Sequence, residues 1–492
     1  MNDNSYILLL PVIIPVIAGA LIGIINFKKR CHVIIYVFAA LAAELIFSVY
    51  IAVCGRGLSL TFMHIADGMD LYLNVDNLSA IFIMLVSCAW MLAGIFSFEY
   101  IKHENREKLF FGEYLVVGGI LTGLAMSGNM MTLYVFYEFM SITSMPMVLH
   151  SRSQESIMAA LKYLFYSMGG AFMALFGFFV LSNMLGDSAL TFTAGGMISA
   201  EGASGWVLAA VFLMILGFGT KAGMLPMHAW LPAAHPVAPA PASAVLSGVI
   251  TKAGVLGVIR TVYYVAGPEL IKGTWVQYAW VILALTTVFM GSMLAYKEKI
   301  LKKRLAYSTV SQVSYVMFGL SLLNPYAFIG AILHVIFHSL AKNTLFMSAG
   351  AIIYKTGKTK VNELTGIGKE MPVVMWCFLL SSLSLVGIPP LCAFVSKWYL
   401  AVGALESGIY VASWLGPVVL LISALLTAGY LLPIAIKGFL PGKEFNYSEL
   451  ENKEPNWQML LPLLVMTAFS IIFGIWPSGL VSLIEGIALS VF

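Results

Sequence analysis

The sequence predicts an all-α protein that crosses a lipid bilayer many times, and three observations predict this class. Of its 492 residues, 60% are hydrophobic and only 10% are charged, whereas soluble domains carry about 25% charged residues. Long apolar runs recur along the whole chain, and a helix needs about 20 apolar residues to cross the hydrocarbon. Basic residues are concentrated in alternate loops between these runs, as expected for a polytopic membrane protein.

Fourteen apolar runs are the candidate membrane-spanning helices. Their approximate ranges are 5–26, 32–53, 76–98, 110–127, 129–149, 159–183, 206–232, 240–266, 275–295, 305–322, 327–354, 372–406, 411–436 and 458–476. Each boundary is expected to be accurate to about four residues. The runs 206–232 and 372–406 are too long for one straight span and contain prolines, so we predict that both are broken helices.

Lysine and arginine in the loops predict the orientation of the chain. With fourteen spans, one set of loops carries nineteen basic residues and the opposite set carries three. The rich set is Lys28, Lys29, Arg30, Lys102, Arg106, Lys108, Arg152, Lys297, Lys299, Lys302, Lys303, Arg304, Lys355, Lys358, Lys360, Lys369, Lys437, Lys443 and Lys453, and the poor set is Arg56, Arg260 and Lys272. Because short cytoplasmic loops collect basic residues, we expect a multi-pass protein of the cell inner (cytoplasmic) membrane with both termini on the non-cytoplasmic side.

Composition argues against several other kinds of protein. The net charge is only +4 and the basic residues are scattered, so no nucleic-acid partner is expected. The five cysteines show no CxxC spacing, which predicts neither a disulfide framework nor a metal or iron–sulfur site. Without a nucleotide-binding loop or a haem ligand pair, we expect no cofactor and no catalytic or redox site in this chain. The residues before the first apolar run carry no positive charge, and the run is long enough to span the membrane. We therefore expect no cleavable signal peptide.

Several charged side chains lie inside the apolar runs, where a central charge costs about 2.5–3.5 kcal/mol on insertion scales. They are Glu138, Lys162, Lys221, Lys252, Lys342 and Lys397, with Glu44 as a further case. Lys162 lies near the start of its run, where it is either a possible site of proton entry or a lysine whose amine snorkels to the interface. For Glu44 we favour a structural hydrogen bond. The others favour a function, because a buried lysine poised between its charged and neutral forms can accept and release a proton.

Histidines add titratable groups to the same set. His334, His338 and Lys342 are spaced at i, i+4 and i+8 and therefore lie on one helix face. Because histidine titrates near neutral pH and the stretch 334–338 lacks the glutamate of a zinc-binding HExxH motif, we favour a proton relay over a metal site. His228 and His235, on either side of a Trp-Leu-Pro sequence, either line a route of proton uptake or cap the helix.

The two broken runs also predict internal symmetry. Lys221 lies among glycines five residues before Pro226, and Lys397 follows the double proline at 389–390 by seven residues. Two interrupted spans at corresponding places in two halves are typical of inverted-repeat transporters with ion sites near the midplane, although two unrelated proline kinks would give the same pattern. The expected divisions are N-terminal helices in 1–109, a first five-helix repeat in 110–266, a second in 267–437, and a loop with a C-terminal helix in 438–492.

The segment 221–235 resembles the hallmark of the antiporter-like subunits shared by respiratory complex I, Mrp-type multisubunit Na⁺/H⁺ antiporters and membrane-bound hydrogenases. Further stretches are similar to other motifs of this family: 238–248 with Lys252, the pair Tyr137-Glu138, and 303–312. One complex I subunit carries a glutamate where Lys397 stands, and another continues into a long lateral helix. The stretch 394–400 is also similar to the Mrp D-type subunit and to its hydrogenase-associated counterpart. The chain therefore looks most like one of these two subunits.

The resemblance implies a role for each candidate residue. Glu138 and Lys221 would form the central pair of a first half-channel, Lys252 would be the connecting lysine, and Lys397 would be the terminal lysine of a second half-channel. His334, His338 and Lys342 would lead to that second half-channel. The family also implies protons or Na⁺ as the transported ions, no redox cofactor in this chain, and partner membrane subunits that include homologous antiporter-like subunits.

Two other functions remain as alternatives to ion translocation within a larger complex. A free-standing secondary transporter that couples an organic solute to protons would need a mixed apolar and polar pocket, whereas the polar residues here recur as a chain between the fifth and twelfth runs. A redox enzyme would need cofactor ligands that the sequence does not offer. We therefore expect a proton- or Na⁺/H⁺-translocating subunit.

Overall fold

The computed structural model describes residues 3–198, 204–442 and 451–492, and Lys443 of the basic loops lies outside them. Each of the fourteen apolar runs forms a helix or a pair of helix segments, so the all-α membrane fold predicted from the sequence is confirmed. Within the described ranges, ten helices are long and apolar enough to cross a membrane. The count of fourteen spans stays a prediction.

The helices are labelled in chain order. The first eight are α1 (Leu10–Leu21), α2 (Arg30–Cys54), α3 (Asn77–Tyr100), α4 (Glu107–Ala125), α5 (Met130–Leu149), α6 (Gln154–Leu185), α7 in two segments, α7a (Gly205–Ala222) and α7b (Leu231–Val237), and α8 (Ala240–Ala266). The others are α9 (Trp275–Lys297), α10 (Leu301–Ser321), α11 (Pro325–Thr356), α12 in two segments, α12a (Pro372–Val386) and α12b (Cys392–Leu405), α13 (Tyr410–Phe439), α14 (Trp457–Ile475) and α15 (Ser478–Val491). Short helical turns cover Asp3–Leu9, Ile101–His103, Pro268–Ile271, Val361–Leu364 and Ile367–Glu370.

A β-hairpin between α2 and α3 departs from the all-α expectation. Strand β1 (Ser59–Ala66) pairs antiparallel with β2 (Met69–Asn74), with Ser59 opposite Asn74. The turn contains Gly68 at a φ of 74°, a conformation that glycine adopts without steric cost. The hairpin lies between two apolar runs and has little signal in the sequence, because its strands are short and most of β1 is exposed.

Helix α8 is buried along its whole length and is not a regular α-helix. Two stretches, Leu246–Ile250 and Arg260–Ala266, form wide π-helical turns. Such turns are rare and occur often at functional sites, because they displace side chains from the regular spacing. Lys252 lies just after the first of them.

Both predicted helix breaks are present. Helix α7a ends at Ala222 and Gly223 follows with a φ of 78°, while α12a ends at Val386 and Gly387 follows with a φ of 94°. A positive φ is open to glycine and strained for other residues, so each glycine terminates its helix segment. The breaks place Lys221 in the last turn of α7a and Lys397 in the second turn of α12b.

The loops rich in lysine and arginine lie together on one surface. Backbone hydrogen bonds join Leu301 to Thr359 at 3.0 Å and Gly366 to Lys437 at 3.0 Å. The Arg30 side chain, near the start of α2, pairs with Glu107 at 2.6 Å. These contacts connect loops that the charge pattern assigned to one side, and we call this surface the basic-loop face.

Candidate functional site

Lys221 lies in a pocket of hydroxyl groups between three helices. Its Nζ donates to Ser141 Oγ at 3.0 Å on α5, and to Tyr163 Oη at 2.8 Å and Ser167 Oγ at 2.8 Å on α6. The side chain is fully buried. Three acceptors satisfy the three donors of an ammonium group, so the pocket can hold the charged amine at bilayer depth.

Aromatic rings form the rest of the wall around Lys221. The amine lies 4.2 Å from the ring centre of Tyr163, 5.8 Å from that of Trp230 and 5.9 Å from that of Tyr137. These distances suit cation–π attraction. Trp230 also donates from Nε1 to the carbonyl of Thr220 at 2.8 Å, which anchors the break between α7a and α7b beside the lysine.

Glu138 does not contact Lys221 directly. Its Oε1 accepts a hydrogen bond from Tyr134 Oη at 2.9 Å, and no ion pair within 4.0 Å joins it to Lys221. Glu138 is only partly buried, and the next residue, Phe139, is 55% exposed. Glu138 and Lys221, the central pair implied by the family resemblance, are therefore not in direct contact in this structure, and Glu138 is half-buried on α5.

A series of buried polar side chains, with one gap between two histidines, joins α8, α11 and α12b. The Lys252 Nζ lies 2.7 Å from His338 Nδ1 and also donates to the carbonyl of Ser247 at 2.7 Å. The rings of His338 and His334 are 6.1 Å apart. His334 Nδ1 lies 2.9 Å from Ser396 Oγ, and all four of these titratable or hydroxyl side chains are buried.

Lys397 completes this series next to Ser396. Its Nζ donates to the carbonyls of Leu385 at 2.5 Å and Val386 at 3.1 Å, which the break after α12a leaves without helical partners. The amine also lies 4.9 Å from the ring centre of Tyr315. The same ring is stacked on His334 at 5.5 Å, so Lys397 and His334 share one aromatic neighbour.

Lys342 occupies a separate position on the basic-loop side of His338. Its Nζ donates to the carbonyl of Leu305 at 3.1 Å and to Ser308 Oγ at 2.7 Å. Tyr430 Oη donates to the same Ser308 oxygen at 2.7 Å. Lys342 is fully buried, but in the described parts of the chain it forms no hydrogen bond to either histidine of α11.

The three candidates for proton uptake differ in their surroundings. His235 is fully buried, its ring is stacked on Phe346 at 4.7 Å, and neither ring nitrogen has a hydrogen-bond partner among the described residues, so it does not cap the helix. His228 is partly exposed. Lys162 is exposed on α6, as snorkelling would require, and it has no acidic partner in the described ranges.

The structure also shows functional neighbours that the sequence analysis missed. They are Ser141, Tyr163, Ser167, Ser308, Gln312 and Ser396. Hydroxyl residues are common in membrane helices because they pack and bond locally, so their presence in an apolar run carries little signal. Only Gln312, a large polar side chain near mid-run that contacts His334 Nε2 at 3.2 Å, could have been selected from sequence.

Glu44 is bonded as the sequence analysis expected. Thr122 Oγ1 on α4 donates to its Oε1 at 3.0 Å, and the side chain is 1% exposed. It lies between α2 and α4 and touches none of the lysines described above, which fits a structural hydrogen bond.

Comparisons with known proteins identify a family for this chain. The family model described as "NADH:quinone oxidoreductase/Mrp antiporter, TM" matches residues 127–427. The N-type membrane subunit of the NADH-quinone oxidoreductase of Desulforudis audaxviator is 32% identical over 425 residues, which cover 83% of each protein. The D-type component of the Na⁺/H⁺ antiporter of Bacillus subtilis is 28% identical and covers 96% of this chain and 94% of its own. Hydrogenase-4 component B of Escherichia coli is 29% identical over 85% of this chain and 64% of its own.

Solved structures share the fold at lower identity. A chain of the Mrp complex from Dietzia sp. matches with a TM-score of 0.86 at 22% identity and covers 100% of this chain and 98% of its own. A chain of respiratory complex I from Thermus thermophilus matches with a TM-score of 0.83 at 21% identity, with 99% and 100% covered. The resemblance stated from the sequence motifs is thus confirmed, and the chain belongs to the NADH:quinone oxidoreductase/Mrp antiporter family of membrane subunits.

Proposed function

We propose that this chain is a proton- or Na⁺/H⁺-translocating subunit of a multisubunit membrane complex. One observation carries the proposal: a series of contacts at bilayer depth runs from Lys252 through His338 and His334 to Ser396, beside Lys397. Ionisable groups inside a membrane are costly and mark ion pathways. The relatives support it, because their names describe subunits of a quinone oxidoreductase, a hydrogenase and a Na⁺/H⁺ antiporter.

The contact between Lys252 and His338 is suited to proton transfer. At 2.7 Å, an ammonium proton of Lys252 can pass to Nδ1 of a neutral His338, leaving a neutral amine and an imidazolium. The ring then releases a proton from Nε2, which has no hydrogen-bond partner among the described residues. The two ring centres are 6.1 Å apart, so transfer to His334 requires a water between the rings and the release of one His334 nitrogen from Ser396 or Gln312.

The Lys221 pocket is separate from this series. Helices α7a and α8 pack closely there: a Cβ added to Gly254 would lie 2.4 Å from the carbonyl of Phe218 and 2.8 Å from Lys221 Cβ. We propose that the two parts influence each other through this close packing of α7a against α8, because a shift of either helix would move the lysine that it carries.

The orientation and the repeats belong to the same proposal. We propose that the basic-loop face meets the cytoplasm, because it carries nearly all loop lysines and arginines, and that both termini are non-cytoplasmic. The five-helix units 110–266 and 267–437 would be the inverted repeats. Glu138 and Lys397 are only partly buried, and a charge within the membrane needs cover, so partner membrane subunits would cover both residues.

A free-standing transporter of an organic solute is the weaker alternative. Each of the buried polar groups is packed against hydroxyls, carbonyls or rings of its neighbours. A solute would need a shared cavity among them. The relatives named above are also subunits of complexes rather than single-chain transporters.

The test uses the whole complex reconstituted in lipid vesicles, with proton flux measured by an internal pH dye. We expect Glu138→Ala, Lys221→Ala and Lys397→Ala each to abolish flux while the complex still assembles. Lys437→Ala is the matched control, because this lysine is exposed near the end of α13 and outside the proposed series, and it should keep full flux. Full flux in all three variants would refute the proposed function.

A further inference from the structure

A second feature of the basic-loop face is a polar cavity of about 210 Å³ that lies where five loops meet. The loops are those before α4, before α6, between α7b and α8, before α10 and after α11. Residues that line the cavity include Tyr100, Glu104, His150, Pro236, Lys302 and Thr359. A polar cavity of this size has room for several water molecules.

His150 is a buried titratable group at the wall of this cavity. It is 6% exposed, its ring meets Phe110 edge-on at 5.5 Å, and neither ring nitrogen has a hydrogen-bond partner among the described residues. Buried polar atoms are normally paired with protein or water. Because the ring lines a cavity that also contains the Glu104 carboxylate, water in the cavity is the available partner.

The inner wall of the cavity is tied to His235. Lys302 Nζ donates to the carbonyl of Pro236 at 3.4 Å and also to that of Ala238, and Ser243 Oγ donates to the carbonyl of His235 at 3.0 Å. His235 therefore lies behind the cavity wall with two ring nitrogens that have no partner in the described chain. Because Lys302 binds the carbonyls that follow His235, it fixes the position of that histidine and acts as a positioning residue.

Helix α10 presents one polar face between the cavity and the buried series. Lys302 reaches the cavity, the carbonyl of Leu305 and the hydroxyl of Ser308 bind Lys342, and Gln312 contacts His334. Spacings of three and four residues lie on one side of a helix, and ten residues span about 15 Å. His235 packs on Phe346, one helical turn from Lys342, so Lys342 lies between His235 and the histidines of α11.

We propose that this cavity is a proton uptake site that supplies Lys342 by way of His150 and His235. This proposal rests on the proposed function and gives Lys342, which has no direct contact with the histidines, a role in it. A proton from cavity water binds a ring nitrogen of His150, returns to water, and binds a ring nitrogen of His235. The neutral amine of Lys342 then accepts it, so that only N–H and O–H bonds form and break and one positive charge moves inward.

The first test is a histidine deletion in the reconstituted complex. We expect His150→Ala to lower proton flux by at least about tenfold, as loss of a proton-transfer group does, and imidazole added on the basic-loop side to restore part of it. His103→Ala is the matched control, because His103 is an exposed histidine of the same face, and its flux should be unchanged. Flux in His150→Ala equal to that of the control would overturn the proposal.

The second test blocks the cavity without removing a titratable group. Ser151 is exposed and lines the cavity, so Ser151→Cys in a Cys31→Ser background can be modified by a bulky, membrane-impermeant thiol reagent. We expect full flux before modification and at least about tenfold less after it, whereas modified Lys369→Cys, on an exposed part of the same face, should keep its flux. Unchanged flux after complete modification of Ser151→Cys rejects the uptake site while leaving the proposed function intact, because the unmodified variant still transports.

Discussion

At the scale of single residues, the buried lysines are held by neutral partners. Lys221 donates to three hydroxyls, Lys252 contacts an imidazole and a carbonyl, and Lys397 donates to two carbonyls. In the described parts of the chain, none of them has a carboxylate within 4.0 Å. A carboxylate would favour the charged amine strongly. With neutral partners, the lysine can adopt both its charged and its neutral form, and proton transfer by a lysine requires both.

The contact between Lys252 and His338 predicts strong coupling between their substitutions. Lys252→Met and His338→Leu should each reduce proton flux by about 100-fold or more, because each removes one group of a proton-transfer pair. The double variant should be no worse than the poorer single variant, since groups that act as a unit are not additive. Flux in vesicles containing each variant complex measures this, and losses that multiply in the double variant would show that the two residues act independently.

The sequence revealed these lysines for a physical reason that does not extend to their partners. A charge within an apolar run is costly, so Lys221, Lys252 and Lys397 could be selected from composition alone. Ser141 and Tyr163 lie on other helices, and only the packing of α5 and α6 against α7a brings them to the amine. The separation of Glu138 from Lys221 is likewise a property of packing, which no spacing in the sequence encodes.

At the scale of elements, the helix breaks position the charged groups. The break after α12a exposes the carbonyls that bind Lys397, and Gly387 makes it with a φ of 94°. Prolines and glycines indicated this break in the sequence. The β-hairpin and the π-helical turns of α8 had no such signal, because short exposed strands and wide helical turns depend on contacts with the rest of the fold.

Gly387→Ala should therefore impair transport as well as stability. An added Cβ would lie 3.0 Å from Lys397 Cδ, and a non-glycine residue at this φ costs about 1–2 kcal/mol. Gly408→Ala is the matched control, because Gly408 has a φ of 69° and nothing within 4 Å of its added Cβ. Both variants should lower the melting temperature of the purified complex similarly, but only Gly387→Ala should lower flux. Equal flux in the two would show that Lys397 tolerates the displacement.

A partly buried ion pair joins the start of α3 to α8. Arg260 NH1 lies 2.5 Å from Asp76 Oδ2, NH2 lies 2.9 Å from Oδ1, and the guanidinium is 4.3 Å from the ring centre of Tyr264. The arginine side chain is 2% exposed and the aspartate side chain is 31% exposed, so removing the carboxylate leaves a buried guanidinium without its compensating charge. Asp76→Ala should therefore clearly lower the melting temperature of the complex.

The control for this pair is an exposed one. Glu269 and Lys272 lie 3.3 Å apart with 72% and 55% of their side chains exposed, and such pairs contribute about 0–1 kcal/mol. Glu269→Ala should leave the melting temperature almost unchanged. If Asp76→Ala behaved like this control, the pair would not link α8 to α3 in the assembled complex.

At the scale of the whole molecule, titratable groups recur on helices from α5 to α12b. Lys221, Lys252 and Lys342 are buried, and Glu138 and Lys397 are partly buried. Apolar run lengths and alternating loop charges were enough to predict the membrane fold, because the bilayer imposes both. Run lengths and loop charges could not predict which surfaces of this chain contact other subunits, because those contacts also depend on the surfaces of the partner subunits.

Two native cysteines provide a test of the proposed orientation. Cys31 and Cys54 are both exposed and lie near opposite ends of α2, about 35 Å apart at 1.5 Å per residue, with Cys31 next to Arg30 of the basic-loop face. In right-side-out membrane vesicles, an impermeant thiol reagent should label Cys54 and leave Cys31 unlabelled until the membrane is permeabilised. Cys54→Ser should remove the labelling of intact vesicles and Cys31→Ser should not. The opposite pattern would place the basic-loop face outside the cell, and the cavity of His150 would then open to the wrong compartment for proton uptake from the cytoplasm.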